Sequence, residues 1–349
     1  MDVKVKEEYI QQAMELHREY SVVDAHLDLA GEILLRRQAG ETKVIKNHYL
    51  NHFRTAGINL IVSSVYVENE NLDRGWENAL AQITALKEDI SELAEVSLIL
   101  NKKDLEQTMS KGKIGILLYM EGLDCIGEDI EKITELYELG VRGASLTWSR
   151  ANALAVGCCT ATKHIQIPGK ITDAGIRAVK KLEELSMFLD ISHLNDEGYE
   201  QLFHIAQKPF IATHSCSRTI YDNYRNLTDD QMKALANQNG IMGINGCKYI
   251  AGSLAGNHLE MLCRHVEYET KIIGAEHIGF GFDLCDSYGR ARAKLKGLQE
   301  GGAEDCLLHH GQIPLVTAAL LQRGMNRQEL GQIIGNNFIT YFKTILPAE

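Results

Sequence analysis

The chain has 349 residues, 45% of them hydrophobic, with 36 basic against 47 acidic side chains and a formal charge of −11. That length can bury a large core and suits a single α/β barrel without forcing two domains. The acidic balance, with no basic stripe, excludes a nucleic-acid partner; the N-terminal segment lacks the apolar core of a secretory signal, and no run of about 18 apolar residues marks a membrane span. A cytoplasmic protein with no membrane partner is expected. Eight cysteines (Cys125, Cys158, Cys159, Cys216, Cys247, Cys263, Cys285 and Cys306) are scattered without a C-x-x-C pair, which favours reduced, mostly buried thiols over disulfides or a thiolate zinc site.

Residues 4–20 predict a helix laid before the first strand, so residues 1–20 are expected to pack as an N-terminal helix on one domain spanning 21–349. From Ser21 onward short apolar runs alternate with helix-period segments. Strands are predicted over 22–29, 59–67, 114–120, 143–148, 187–193, 210–214, 240–245 and 277–283. Between them, Asn195 and Asn326 are candidate helix caps, and Thr228 with Gln231 forms a candidate capping box ahead of a helix that ends before Gly240. Eight strands each followed by helical sequence predict parallel β-α units closing into a (β/α)8 TIM-type barrel, with an open doubly wound sheet as the alternative. No G-x-G-x-x-G fingerprint follows a strand, and Gly281 to Gly289 lacks its spacing. Two connections, 149–173 and 284–314, are long enough to be lids or binding loops; Arg290, Arg292, Lys294 and Lys296 in the second predict a solvated face.

The first chemical signal lies in residues 21–30, Ser-Val-Val-Asp-Ala-His-Leu-Asp-Leu-Ala. Residues two apart on a strand face the same way, so His26 and Asp28 would project together as a two-point metal grip. A hydrogen-bonded pair at a strand end is the plainer alternative. Barrel enzymes place their chemistry at the C-terminal ends of the strands, and the other predicted strands end in kindred residues: Glu121 on the third, Asp190 and His193 on the fifth, His214 on the sixth and Asp283 on the eighth. Singly, each has an ordinary explanation as a core histidine, a capping aspartate or a loop carboxylate. Together, uncompensated charges at five converging strand ends would cost on the order of several kcal/mol, a conflict that a bound cation resolves.

Three histidines and two carboxylates without a thiolate suit zinc or a similar divalent ion. Five ligands exceed what one ion takes and point to two ions sharing Glu121, with His26 and Asp28 on one and His193 and His214 on the other. Two ions about 3.5 to 4 Å apart hold a hydroxide and polarise a carbonyl, so hydrolysis is the expected chemistry. Asp24 and Asp190, near the ligands, are candidates to accept the second N–H of a ligand histidine. His204, His258, His265, His309 and His310 are assigned no role.

A longer block surrounds these residues: Asp190-Ile-Ser-His193-Leu, His214-Ser-x-x-Arg218, Tyr224-Arg225-Asn226-Leu-Thr-Asp229 and Gly240-Ile-Met-Gly-Ile-Asn245. From about Val22 to Phe338 the chain resembles the membrane dipeptidase (renal dipeptidase) family of dinuclear zinc peptidases, in its soluble bacterial-type form. The resemblance implies two zinc ions per chain, a hydroxide bridging them and small dipeptides as substrates, and it suggests a homodimer. It places the five metal ligands on His26, Asp28, Glu121, His193 and His214, the grip on the substrate carboxylate on Arg225, and proton exchange on Asp283.

Two departures stand out. Many members carry a histidine that steadies the tetrahedral intermediate where this chain has Trp148; an indole offers only an N–H donor, so Trp148 is expected to bear on substrate binding and range. The strand-eight motif, commonly Gly-Ser-Asp-Phe-Asp-Gly, reads here Gly281-Phe282-Asp283-Leu284-Cys285-Asp286, keeping the first aspartate in altered surroundings. Trp148 and Phe282 favour, as a second reading, another small amide such as an N-acyl amino acid, or a lactone. A non-catalytic metal-binding scaffold is the third, and it leaves an acid/base residue beside the metals without a purpose.

Overall fold

The structure is a computed structural model and describes residues 3–158, 167–253, 255–299 and 304–349. Cys159 and parts of the two long connections lie outside these residues. Among those described, nine strands follow in chain order: β1 (Val22–Leu27), β2 (Ile58–Tyr66), β3 (Val96–Leu98), β4 (Ile114–Glu121), β5 (Val141–Ser145), β6 (Phe188–Asp190), β7 (Ala212–Ser215), β8 (Met242–Ile244) and β9 (Ile278–Phe280). They form a curled parallel sheet in two hydrogen-bonded parts, ordered β1-β2-β4-β5-β6, with β3 beside β4, and β7-β8-β9. Across the seam between the parts, Ile211 donates to Leu189 O and Ile191 donates to Ile211 O, both at 2.9 Å. At the other side Asp283 N donates to His26 O at 3.2 Å, bringing the chain after β9 against the end of β1.

Parallel strands are buried on both faces, so they read as continuous apolar runs. One face of the curl turns inward: Val23, Ala25, Leu60, Val62, Leu117, Tyr119, Phe188, Ile211 and Ile241 pack with Phe338. The alternate residues Ile61, Val65, Ile116, Leu118 and Met120 pack outward in the larger core shared with the helices. Continued by two residues at a time, the inward face of β4 passes from Tyr119 to Glu121. In the paired register Glu121 lies beside Tyr66 of β2. Gly243 and Gly281 allow the chain of β7 to come close, since a Cβ on either would run into the Thr213 carbonyl oxygen.

The three predicted caps form. Asn195 accepts from Gly198 N and Asn326 from Glu329 N, each at 2.9 Å, and Thr228 with Gln231 makes a reciprocal capping box. The N-terminal helix, Glu7–Glu19, buries Ala13, Leu16 and His17. His17 Nδ1 lies 2.6 Å from Ala56 O and Nε2 lies 2.8 Å from Thr317 Oγ1, tying this helix to helix Ile313–Gln322.

Three expectations change. The three-residue β3 was not predicted, because Val-Ser-Leu is too short for an alternation to register. The strands at 22–29, 143–148, 187–193 and 277–283 end earlier, at Leu27, Ser145, Asp190 and Phe280, so Asp28, Trp148, His193 and Asp283 stand on the segments that follow them. The basic run is not wholly solvated: Arg292 pairs with Glu68 and Glu70, each at 3.3 Å, and Lys296 also pairs with Glu70. No helix among the described residues is long and apolar enough to cross a membrane.

Candidate metal centre

The last residues of the strands and the turns just beyond them gather the predicted ligands into one largely buried cluster. His26 is carried by β1, while Asp28 stands just past it, at the start of helix Leu29–Gln38. The pair still faces one way, with His26 Nε2 3.7 Å from Asp28 Oδ1. Glu121, the last residue of β4, divides its carboxylate. Oε1 lies 2.8 Å from His193 Nε2 and 3.4 Å from His214 Nε2, whereas Oε2 lies 3.7 Å from His26 Nε2. Asp283 Oδ1 lies 3.5 Å from the same His26 nitrogen. Ligand-type atoms of His26, Glu121 and His214, and of His26, Asp28 and Asp283, fall within 4.8 Å of one another, so two adjoining groups meet at His26.

This arrangement fits cations. Among the described residues His26 Nε2 is buried with no hydrogen-bond partner, and its 3.5 to 3.7 Å distances to the carboxylates are too long for hydrogen bonds. They are near the separation of about 3.3 Å between two donors on a tetrahedral zinc ion. His193 Nε2 and His214 Nε2 face each other at 3.0 Å, which sets lone pair against lone pair when both rings carry their proton on Nδ1. The ionisation of the cluster's own side chains expresses the same conflict. Burial, opposed by His26 and reinforced by Asp28 and Asp283, holds the Glu121 carboxyl well above its usual range. Burial likewise pushes Asp283 up to about 6. Burial works against a charged His26, yet Glu121, Asp283 and Asp28 outweigh it and raise that ring to about 10. His193 and His214 are held well below the usual value by burial and by the charges of Arg225 and His26.

Each histidine turns Nε2 to the cluster and Nδ1 to a hydroxyl. The Nδ1 partners are Tyr119 OH for His26 at 2.6 Å, Ser149 Oγ for His193 at 2.7 Å and Thr213 Oγ1 for His214 at 2.7 Å. Because Thr213 Oγ1 donates to Asp190 Oδ2 at 2.7 Å, it can only accept from His214. That fixes the proton on Nδ1 and leaves the Nε2 lone pair for a metal. The predicted carboxylate partners are thereby corrected. Asp190 reaches His214 through Thr213, its Oδ1 being taken by Ser192 N, Ser192 Oγ and Thr213 N. Asp24 braces backbone, accepting from Phe282 N at 2.8 Å and His26 N at 3.3 Å. Its other oxygen meets His310 Nε2 at 3.0 Å, so His310, given no role from sequence, belongs to the support of the cluster.

Arg225 is buried and reaches inward from the loop after β7. Nη2 donates to His214 O at 2.7 Å and lies 3.3 Å from His193 Nε2, while Nη1 donates to Ser215 Oγ at 3.0 Å. Its loop is fixed by Arg218, which grips Asp196 with both terminal nitrogens at 2.7 and 2.8 Å, and by Asn226, which bonds Tyr221 O and Ile250 O. Trp148 lies between His193 and Tyr66, with ring centroids 5.6 and 5.1 Å away and the planes tilted by 31° and 45°. Asp283 has a φ of +55°, a left-handed conformation that costs a non-glycine residue about 1 kcal/mol and aims this side chain inward. Asn245 Nδ2 donates to its Oδ2 at 3.2 Å, and Ser64 donates to Asp28. Sequence reasoning missed Tyr119, Ser149, Thr213, Ser64 and Asn245. Of these only Thr213 adjoins in the chain the ligand it serves; Tyr119, Ser149 and Ser64 stand 93, 44 and 36 positions from the residues they support.

The membrane dipeptidase family (peptidase family M19) matches residues 10–347. Mouse dipeptidase 3 is 27% identical over 96% of this chain, and the chain spans only 66% of that protein's length. Among solved structures, a metallopeptidase described as dipeptidase AC superposes with a TM-score of 0.81 at 20% identity, covering 94% of this chain and 99% of its own. A Rhodobacter sphaeroides metallopeptidase, solved with a phosphinate mimic of the dipeptide L-Ala-D-Ala, gives 0.80 at 20% identity, covering 93% and 99%. With the family match extending over nearly its whole length, the chain belongs to the membrane dipeptidase family, peptidase family M19.

Proposed function

We propose that the protein is a metal-dependent dipeptidase acting on small dipeptides. The observation that carries this reading is the convergence of His26, Asp28, Glu121, His193 and His214 in one buried cluster, with Arg225 and Asp283 at its edges. Glu121 would bridge two sites, His26 and Asp28 serving one and His193 and His214 the other. When bound, two zinc or similar divalent ions would activate a water between them and polarise the scissile carbonyl.

The chain's own residues supply the rest. Asp283, oriented by Asn245, takes a proton from the attacking water and delivers it to the departing amine. Arg225 carries a permanent positive charge into the cluster and grips the free C-terminal carboxylate of the dipeptide. A grip on one terminal carboxylate, at the mouth of what we take to be a closed (β/α)8 barrel, excludes long peptides. The dipeptide mimic held by the Rhodobacter relative is of the size this reading requires. Hydrolysis of Gly-x dipeptides by metal-loaded protein, set beside chelated protein and an Asp283→Ala variant, tests the assignment. Turnover confined to the loaded wild type supports it, and equal rates in the variant remove Asp283 from the mechanism.

Trp148 favours a second reading. Its indole, set between Tyr66 and His193, gives an apolar wall to the site, which suits an N-acyl amino acid or a lactone at the same metals. A panel of dipeptides against N-acyl amino acids separates the two.

A further inference from the structure

On the flank of the β1 and β9 ends a cavity of about 300 Å³ is lined by Arg36, His48, His52, Arg290, His309 and His310. Such a concentration of cationic and imidazole groups outside the metal cluster calls for a partner. Some of it is already matched. Arg36 bonds Glu32 and Glu41, His48 bonds Glu41 at 2.7 Å, and His310 bonds Asp24. The one carboxylate on the wall, Asp305, accepts the backbone N–H groups of Cys285 and Asp286 at 3.1 and 2.9 Å.

His52, His309 and Arg290 are left over. The two imidazoles stack at 3.9 Å and 15°, and a Cβ on Gly311 would lie 3.0 Å from His309 Nδ1 and 3.4 Å from His52 Nδ1. His309 Nδ1 is buried against Gly311 with no hydrogen-bond partner among the described residues, so the nitrogen this ring has to offer the cavity is Nε2. The exposed Arg290 forms no ion pair among them. Stacked, nearly parallel rings direct their nitrogens side by side rather than at one point. That geometry is poor for chelating a cation and suited to donating to two oxygens of one anion. No third ligand-type atom completes a metal group here among the described residues.

We propose that this cavity binds a small oxyanion, the phosphate or carboxylate group of a small molecule, through His52, His309 and Arg290, and that it communicates with the metal cluster through His310 and Asp24. The path is short. The His310 ring, wedged edge-on against Phe53 with centroids 4.9 Å apart, lines the cavity on one side and holds Asp24 Oδ2 on the other. Asp24 Oδ1 in turn holds the backbone N–H groups of His26 and Phe282. An anion that shifts His310 therefore acts on the seating of a cluster histidine and on the approach to Asp283.

The test is calorimetric titration of the metal-loaded protein with inorganic phosphate and, separately, with acetate, in wild type, Arg290→Ala and His309→Gln. Saturable binding that weakens about tenfold or more in both variants is the expected result. Binding of phosphate alone assigns a phosphate group, and comparable binding of acetate assigns a carboxylate. Titrations that superimpose in wild type and Arg290→Ala would place the anion on the metals and overturn the site, as would the absence of saturable binding by either anion. Communication is read as a change in kcat for dipeptide hydrolysis at saturating anion in wild type but not in Arg290→Ala; an unchanged wild-type kcat removes that part of the proposal. The binding arm does not depend on which amide the enzyme cleaves.

Discussion

Thr213→Val probes the histidine supports directly. The substitution keeps the branched shape and removes the hydroxyl that accepts from His214 Nδ1 and donates to Asp190 Oδ2. Two separable costs follow. Stability falls by about 1–3 kcal/mol, the usual penalty for depriving a buried polar group of its partner, because Asp190 Oδ2 loses its Thr213 bond while Oδ1 keeps three donors. Metal affinity falls by about 10–100-fold, or about 1.4–2.7 kcal/mol, because the imidazole loses the acceptor that fixes its tautomer and raises its basicity. Zinc titration against a competing chromophoric chelator reads the second cost, and denaturant unfolding of the metal-free protein reads the first. Thr213→Ser, which keeps the hydroxyl, should recover most of the affinity. Affinity within about twofold of wild type in a folded Thr213→Val protein would refute the relay from Asp190 to His214.

Asp283→Asn should retain the metals and lose about 10²–10⁴-fold in kcat, measured by dipeptide turnover beside metal content. Arg225→Lys should raise KM for dipeptides by about tenfold or more while hardly affecting dipeptide amides, since a point charge cannot reproduce a bidentate fork. Remote from the site, burial, partly opposed by the bond to Ala56, holds the His17 imidazole down at about 4. The ring is neutral in the fold, so its contribution is complete above the unfolded value of 6.5 and is lost as pH falls toward 4. The loss amounts to about 3 kcal/mol. Urea unfolding of wild type and His17→Gln should show the stability gap closing over that interval, whereas a constant gap would contradict the assignment.

The parallel α/β pattern was legible because doubly buried strands carry long apolar runs and the helices between them begin at readable caps such as Asn195, Thr228 and Asn326. The cluster was legible because each of its residues ends a strand or follows one closely, so that chain order alone put them at the same end of the sheet. What the sequence hid is what distant segments do to one another. Tyr119 pairs with His26 from 93 positions away and His310 with Asp24 from 286, and nothing local marks either partner. Asp190 was identified as a support, but the intervening Thr213 hydroxyl was not, because a threonine in an apolar strand reads as β-branched filler. The turns that carry His193 and Asp283 past the strand ends were hidden for a related reason. Left-handed backbone at an aspartate leaves no mark in composition.

The central claim is that the five strand-end residues hold a pair of metal ions on which hydrolysis depends. Elemental analysis of protein purified without chelator, paired with a dipeptide assay before and after metal removal, addresses it most directly. The account predicts about two zinc or similar ions per chain and turnover that disappears on chelation and returns on reconstitution. A chain that stays folded, takes up no metal after reconstitution and behaves identically when His193 or His214 is replaced by alanine would contradict it.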